Sequence, residues 1–209
     1  EKDPSKTELF IVEGDSAGGC FSGDTKVALT DGRNLSFKEL VEEYRRGKKN
    51  YCCTLDKSGN VKITEIKNPH LTKKDAEVIK IILDNKEEII CTPDHKFRLT
   101  DGSYISAENL TPEVSLAPLN RKISEIEGRI TIKGYEMVYN QPTRKWIFTH
   151  LLSDRYNLER GVYTEQDGEH RHHKDFNKLN NNPDNIIRMD KEGHMEYHRK
   201  HIKQFVHTP

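Results

Sequence analysis

Between residues 20 and 100 the chain is cut into short β-like runs, most of them ended by a turn signal. That spacing leaves room for little besides a compact, mostly antiparallel β domain. The runs are Lys26–Thr30 before Asp31-Gly32, Tyr51–Leu55 before Lys57-Ser58-Gly59-Asn60, Val61–Ile66, Val78–Leu83 before Asp84-Asn85, Glu88–Cys91, and Lys96–Leu99 before Asp101-Gly102. One helix fits, over Ser36–Arg46, where Ser36 can cap the N-terminus and Phe37, Leu40, Val41 and Tyr44 share a face. Beyond a junction at Pro118-Leu119-Asn120-Arg121 the pattern changes. There Arg129–Ile132 and Tyr135–Val138 suggest a hairpin, Lys145–Tyr156 an amphipathic helix with Trp146 and Phe148 on its packing side, and 167–202 a distinct small α+β unit. The expected organisation is therefore 1–19, too short to fold alone, then a mainly β domain at 20–120, then a second domain at 121–209.

Charged and hydrophobic residues each make up 33% of the chain, which indicates a polar, soluble product. No run approaches the roughly 18 apolar residues of a membrane span, and the acidic, proline-bearing start is no signal peptide, so a cytoplasmic location is expected. Cysteines 20, 52, 53 and 91 form no C-x-x-C pair, and the adjacent Cys52-Cys53 suits neither a disulfide framework nor a zinc knuckle. Cys52, Cys53 and Cys91 read as reduced, packed strand residues. The zero net charge hides an asymmetry: 1–120 carries 18 Lys+Arg against 21 Asp+Glu, whereas 121–209 carries 16 against 13 and eight of the ten histidines. The second part is the better candidate for nucleic-acid contact.

At Gly19-Cys20 the chain changes character. Residues 8–19 read Glu-Leu-Phe-Ile-Val-Glu-Gly-Asp-Ser-Ala-Gly-Gly, a hydrophobic strand entering a glycine-rich acidic turn, and Cys20 then opens an unrelated β pattern. The first segment resembles the Toprim catalytic-acid motif of type II DNA topoisomerases, closest to the gyrase B family, which continues with serine where this chain has Cys20. By that resemblance Glu13 is the acid/base and metal-site residue of the host topoisomerase, inert here without the rest of that domain. A foreign segment that begins with cysteine inside another enzyme's motif resembles an intein.

Residues 20–97 supply the matching motifs. A cysteine that attacks its own preceding carbonyl needs a nearby base, a distorted or polarised peptide bond, and a proton donor for the departing amide nitrogen. Cys20-Phe-Ser-Gly-Asp-Thr-Lys-Val27 and Ile90-Cys-Thr-Pro-Asp-His-Lys-Phe97 resemble the two N-terminal motifs of the Hint (hedgehog/intein) splicing domain, a mainly β fold. The resemblance implies that Cys20 takes the acyl group of Gly19 as a thioester, that His95 assists protonation, and that Thr92 orients the scissile carbonyl. Gly19 suits the acyl-donor position because it has no side chain to obstruct attack. The family's terminal His-Asn pair is absent, and the chain closes on Phe205-Val206-His207-Thr208-Pro209. The expectation is a precursor fragment, or the N-terminal partner of a split intein completed by a second polypeptide.

A second constellation runs from His170-Arg-His-His-Lys-Asp175 through Asn177–Met189 to His194 and His198. On a helix over Lys191–His201 the last two imidazoles share a face, whereas His172 and His173 on a strand point to opposite faces. Strand, loop, strand and helix in this order resemble the HNH endonucleases, which carry a ββα-metal unit. That family implies His173 as the general base, His172, His194 and His198 as ligands of a divalent metal, and Asn185 as the residue that braces the loop and orients the base. Phosphodiester hydrolysis wants this set: imidazole, with a pKa near ~6.5, serves as base at neutral pH while a cation draws charge from the phosphate oxygens. Mg²⁺ is the first expectation, with Mn²⁺, Ni²⁺ and Zn²⁺ also admitted. The splicing reaction needs no cofactor. Double-stranded DNA is the expected partner of the second domain, held by Lys174, Lys178, Arg188, Lys191, Arg199, Lys200 and Lys203 through salt-dependent phosphate contacts. Two other readings stay open: a self-cleaving Hint module with an HNH toxin, and a relic in which both sites are inactive.

Overall fold

The structure, a computed structural model, describes residues 8–13, 20–125 and 132–205, the first six and the last three by backbone alone. Small β-sheets predominate, with three α-helices among the described residues. The chain divides into two compact units. The first takes the chain up to Leu29, Arg33–Cys52 and Glu65–Leu119; the second takes Thr30–Gly32, Cys53–Thr64 and everything from Asn120. Two segments that precede residue 120 thus belong to the second unit.

The strands of the first part are β1 (Glu8–Glu13), β2 (Phe21–Ser22), β3 (Lys26–Ala28), β4 (Asn34–Ser36), β5 (Asn50–Leu55), β6 (Val61–Lys74), β7 (Ile79–Ile82), β8 (Glu88–Cys91), β9 (Lys96–Arg98) and β10 (Tyr104–Ser106). Six of them form one sheet in the order β5-β6-β1-β2-β8-β7. The helix α1 (Phe37–Arg45) starts where Ser36 predicts it: the Ser36 hydroxyl accepts from the Glu39 N–H, and the Glu39 carboxylate accepts from the Ser36 N–H. Its apolar face, Phe37, Leu40 and Val41, closes a core with Leu29 and Ile66, ringed by Phe21, Val27, Leu35, Cys52 and Leu71. Phe21 and Leu71 in that ring are the chain neighbours of Cys20 and Thr72, so the core holds the backbone on which both sit.

The second part contains β11 (Arg121–Ile123), β12 (Glu136–Asn140), β13 (Lys145–Phe148), α2 (Thr149–Glu159), β14 (His170–His173), β15 (Ile186–Met189) and α3 (Lys191–Phe205). Most of the expected hairpin strand at Arg129–Ile132 lies outside the described residues; β12 pairs with β11 on one side and β13 on the other. The expected helix over Lys145–Tyr156 is corrected. Lys145–Phe148 is a strand whose aromatic and β-branched residues pair with β12, and Trp146 lies against Tyr139 at 5.3 Å between ring centroids. Helix begins only at Thr149, and its inward face is largely polar. Buried beside Leu152 and Tyr156 are Thr149, Ser153, Asp154 and Asn157, each with a partner: Asp154 accepts from Arg188, Thr149 donates to Glu136, Ser153 to the Asn181 carbonyl, and Asn157 to the Pro183 carbonyl. Through these bonds α2 anchors the loop that follows β14. No helix among the described residues is long and apolar enough to cross a membrane.

Candidate functional site

Cys20 is gripped by Thr92 from both sides of its own backbone. Its N–H donates to the Thr92 hydroxyl at 3.0 Å, and its carbonyl accepts from the Thr92 N–H at 2.9 Å. The antiparallel pairing of Phe21 with Cys91 brings these residues together although 72 positions separate them. That N–H belongs to the Gly19–Cys20 peptide, so Thr92 holds the nitrogen side of the bond; the Gly19 carbonyl that Thr92 is expected to orient lies outside the described residues. Gly19, like the side chain of Glu13, lies outside the described residues. His95 packs its ring on Phe21, the residue after Cys20, at 4.1 Å, and on Phe97 at 4.9 Å. A contact that no motif signalled comes from β6, where the Thr72 hydroxyl lies 3.4 Å from the Cys20 sulfur. The other thiols differ. Burial pushes those of Cys52 and Cys91 up to about 11, with the Asp94 charge adding to the effect at Cys91, which keeps both protonated at neutral pH.

The second constellation assembles between β14 and α3. Asp190 caps α3 by accepting from the Gly193 N–H, and His194, Tyr197, His198 and His201 then fall on the less exposed side of the helix. One ring nitrogen from each of His172, His194 and His198 lies within 4.8 Å of the others, and the Nε2 atoms of His194 and His198 are 3.2 Å apart. His172 is buried and its Nε2 has no hydrogen-bond partner. Burial first, then the neighbouring histidines, depress the His172 pKa to about 4; the same two causes lower that of His194. Both imidazoles are therefore neutral at pH 7 and keep a lone pair. His170 stacks on His194 at 5.0 Å, and Phe176 and Tyr197 wall the cluster in at 4.8 Å from the His172 ring.

His173 faces the other side of β14, as adjacent strand residues must. It is buried, near His150 and Tyr135, and its Nε2 is 3.1 Å from the Asn181 Oδ1. Asn185, expected to orient this base, does not bond to it. Its side chain donates to Asp175 and to the Asn180 carbonyl and accepts from the Asp175 N–H, so it braces the loop while Asn181 orients the histidine. The spacing of Asn181 within the Asn180-Asn181-Asn182 run was the available signal, obscured by three identical candidates.

The basic residues behave unequally. Arg188 is corrected as a DNA contact: its side chain is only 4% exposed and forms a two-pronged bond to Asp154 of α2, at 2.7 Å on each prong. Lys174 donates to the Asp184 carbonyl, and Lys178 donates to the Lys133 carbonyl while lying over the Tyr135 ring. Lys191, Arg199 and Lys200 line the exposed side of α3 together with Glu192, Met195 and Glu196, and Lys200 pairs with Glu196 at 2.8 Å. The side chain of Lys203 lies outside the described residues.

His150, which no motif signalled, has a buried Nδ1 without a hydrogen-bond partner. Burial, then the charge of His173, lowers its pKa to about 4. The folded form therefore resists protonation while the unfolded chain takes up a proton near pH ~6.5. Stability is full above that pH and falls as the pH drops toward 4, by on the order of 3 kcal/mol for this residue. Urea unfolding followed by fluorescence of Trp146, the only tryptophan, is expected to show a loss at least that large, because buried His172 titrates in the same direction, and His150→Leu to reduce the slope by the share of His150. An unchanged pH slope in the variant would refute the assignment.

No protein-family model matches the chain. Over all of its 209 residues it is 58% identical to the DNA gyrase B protein of Synechocystis sp. (strain ATCC 27184 / PCC 6803 / Kazusa). It spans 19% of the length of that curated relative.

Proposed function

We propose that this chain is the N-terminal splicing part of an intein carried in a gyrase B-like precursor, with an HNH-type DNA endonuclease in its second unit. The observation that carries the splicing reading is the grip on Cys20, whose amide and thiol each meet a threonine hydroxyl, from Thr92 and Thr72. The similarity along the whole chain to a gyrase B protein supports the gyrase B-like precursor in this reading. In the reaction the Cys20 sulfur attacks the Gly19 carbonyl carbon; a carbon–sulfur bond forms, the carbon–nitrogen bond breaks, and the thiol proton ends on the freed Cys20 nitrogen. The Thr92 hydroxyl both accepts and donates, so it can hold the amide N–H beforehand and serve the nitrogen as it becomes an amine. The experiment is intact mass of the chain fused behind a small folded reporter, with and without dithiothreitol. Thiol-dependent release of the reporter at Gly19 supports the reading, and an unchanged mass at every thiol concentration sinks it.

The nuclease reading rests on its own observation, the three imidazoles around the orphaned His172 Nε2. Three nitrogen donors without a carboxylate suit Zn²⁺ or Ni²⁺, and Mn²⁺ next, better than the Mg²⁺ first expected. A cation held there would draw negative charge from a phosphodiester's oxygens. On the other face of β14 the Asn181 amide donates to the Leu179 carbonyl, which turns its oxygen toward His173. The proton of His173 is thereby fixed on Nε2, and Nδ1 is left as the basic nitrogen that would take a proton from water. DNA would meet the exposed lysines and Arg199 of α3 rather than Arg188. Calorimetric titration with Zn²⁺ is expected to show one site, weakened by His172→Ala at least tenfold, with metal-dependent nicking of plasmid DNA lost in parallel. Equal affinity in the variant would exclude the cluster as the metal site.

A further inference from the structure

We infer that Thr72 is a positioning residue for the acyl shift, its hydroxyl holding the Cys20 sulfur in place for attack; the inference rests on the splicing reading above. The backbone of Cys20 has little freedom, because Thr92 bonds both its N–H and its carbonyl. What remains free is the thiol's rotation about the Cα–Cβ bond, which has three staggered wells. The Thr72 hydroxyl, 3.4 Å from the sulfur, favours one of them.

A second observation concerns how Thr72 comes to face that way. In the pairing of β6 with β1, Leu71 and Lys73 lie opposite the consecutive residues Phe10 and Leu9, which leaves Thr72 as the extra residue of a β-bulge. On the other side of β1 the same two residues, Phe10 and Leu9, pair with Phe21 and Ser22, directly after Cys20. A bulge breaks the regular alternation of side chains and re-aims one of them. Here it falls at the level of the nucleophile. Thr72 is exposed and outside the first unit's core cluster, so packing does not account for its placement.

The step served is the transfer of the Gly19 acyl group from nitrogen to sulfur, the thiol proton passing to the Cys20 nitrogen. A thiol reagent then takes the acyl group from Cys20 and returns a proton to its sulfur. A hydroxyl that donates to the sulfur as it ionises stabilises the attacking form, and one hydrogen bond to a charged group corresponds to roughly a tenfold change in rate.

The test uses the full chain behind the reporter, as wild type, Thr72→Val and Thr72→Ser, with release at Gly19 followed by mass from pH 6 to 9. Valine keeps the shape and the β preference but removes the hydroxyl; serine keeps the hydroxyl. We expect release at pH 7 to be about tenfold slower with valine and to return to within about twofold of wild type with serine. Valine at the wild-type rate across the pH range, or serine as slow as valine, overturns the inference. Should the wild type release nothing, the splicing reading fails separately, and the rate of Cys20 alkylation by iodoacetamide decides the role of Thr72. Slower alkylation in the valine variant, restored by serine, supports it, and equal rates in all three remove it.

Discussion

Cys20→Ala is expected to stop thiol-dependent release at Gly19 completely, with no residual product by intact mass, while Cys52→Ala leaves release intact. The contrast follows from where the thiols sit. Cys20 is partly exposed at the start of β2, between two threonine hydroxyls and next to the ring-packed pair Phe21 and His95. Cys52 packs against the core of the first unit, where burial pushes its thiol to about 11, so less than about one molecule in a thousand is ionised at pH 7. A thioester at Gly19 needs the Cys20 sulfur, so the alanine variant is expected to have no thiol-dependent route. Release that persists in Cys20→Ala would mean hydrolysis or proteolysis in the flank, and the splicing reading would then lose its nucleophile.

Local signals explain what was legible in the sequence. Ser36 followed by Glu39 marks a helix start by chemistry confined to four residues, and the paired histidines 172 and 173 must point to opposite faces of any strand, so one joins the imidazole cluster and the other meets Asn181. The helix carrying His194 and His198 was readable from their spacing of four. Contacts across long stretches were not. Thr72 reaches Cys20 across 52 residues and Arg188 reaches Asp154 across 34, and neither partner carries a mark of the other. The misreading of Lys145–Phe148 as helix has a related cause. Its apolar residues fit either period over so short a run, and pairing with β12, which no window of sequence contains, decided the outcome. Arg188 looked like a surface cation for the same reason, since its burial depends on a carboxylate supplied by a different element.

Asp154→Ala is expected to cost about 3–5 kcal/mol of stability in the second unit, enough to unfold a marginal domain. Burial by itself would raise the pKa of this carboxylate, but hydrogen bonds from Arg188 and Arg171 outweigh it and hold the group ionised, below its ordinary value. The two arginines are direct cross-strand partners on β14 and β15, an arrangement that like charges disfavour. Asp154 resolves it by accepting from the Nε of Arg171 at 3.0 Å and from two nitrogens of Arg188 at 2.7 Å each. Without it a guanidinium only 4% exposed is left buried and unneutralised beside a second one. The cost should therefore lie in the stranded charge more than in the lost contact, and removing that charge as well should recover most of it. The double variant Asp154→Leu with Arg188→Met is expected to unfold in urea within about 1–2 kcal/mol of wild type, followed by Trp146 fluorescence on β13 of the same unit. Because β14 carries His172 and His173, the single variant should also lose Zn²⁺ binding in proportion to the unfolded fraction, and the double variant should regain it. A single variant as stable as wild type, or a double variant no better than the single, would show that the three-residue ion cluster does not hold β14 and β15 together.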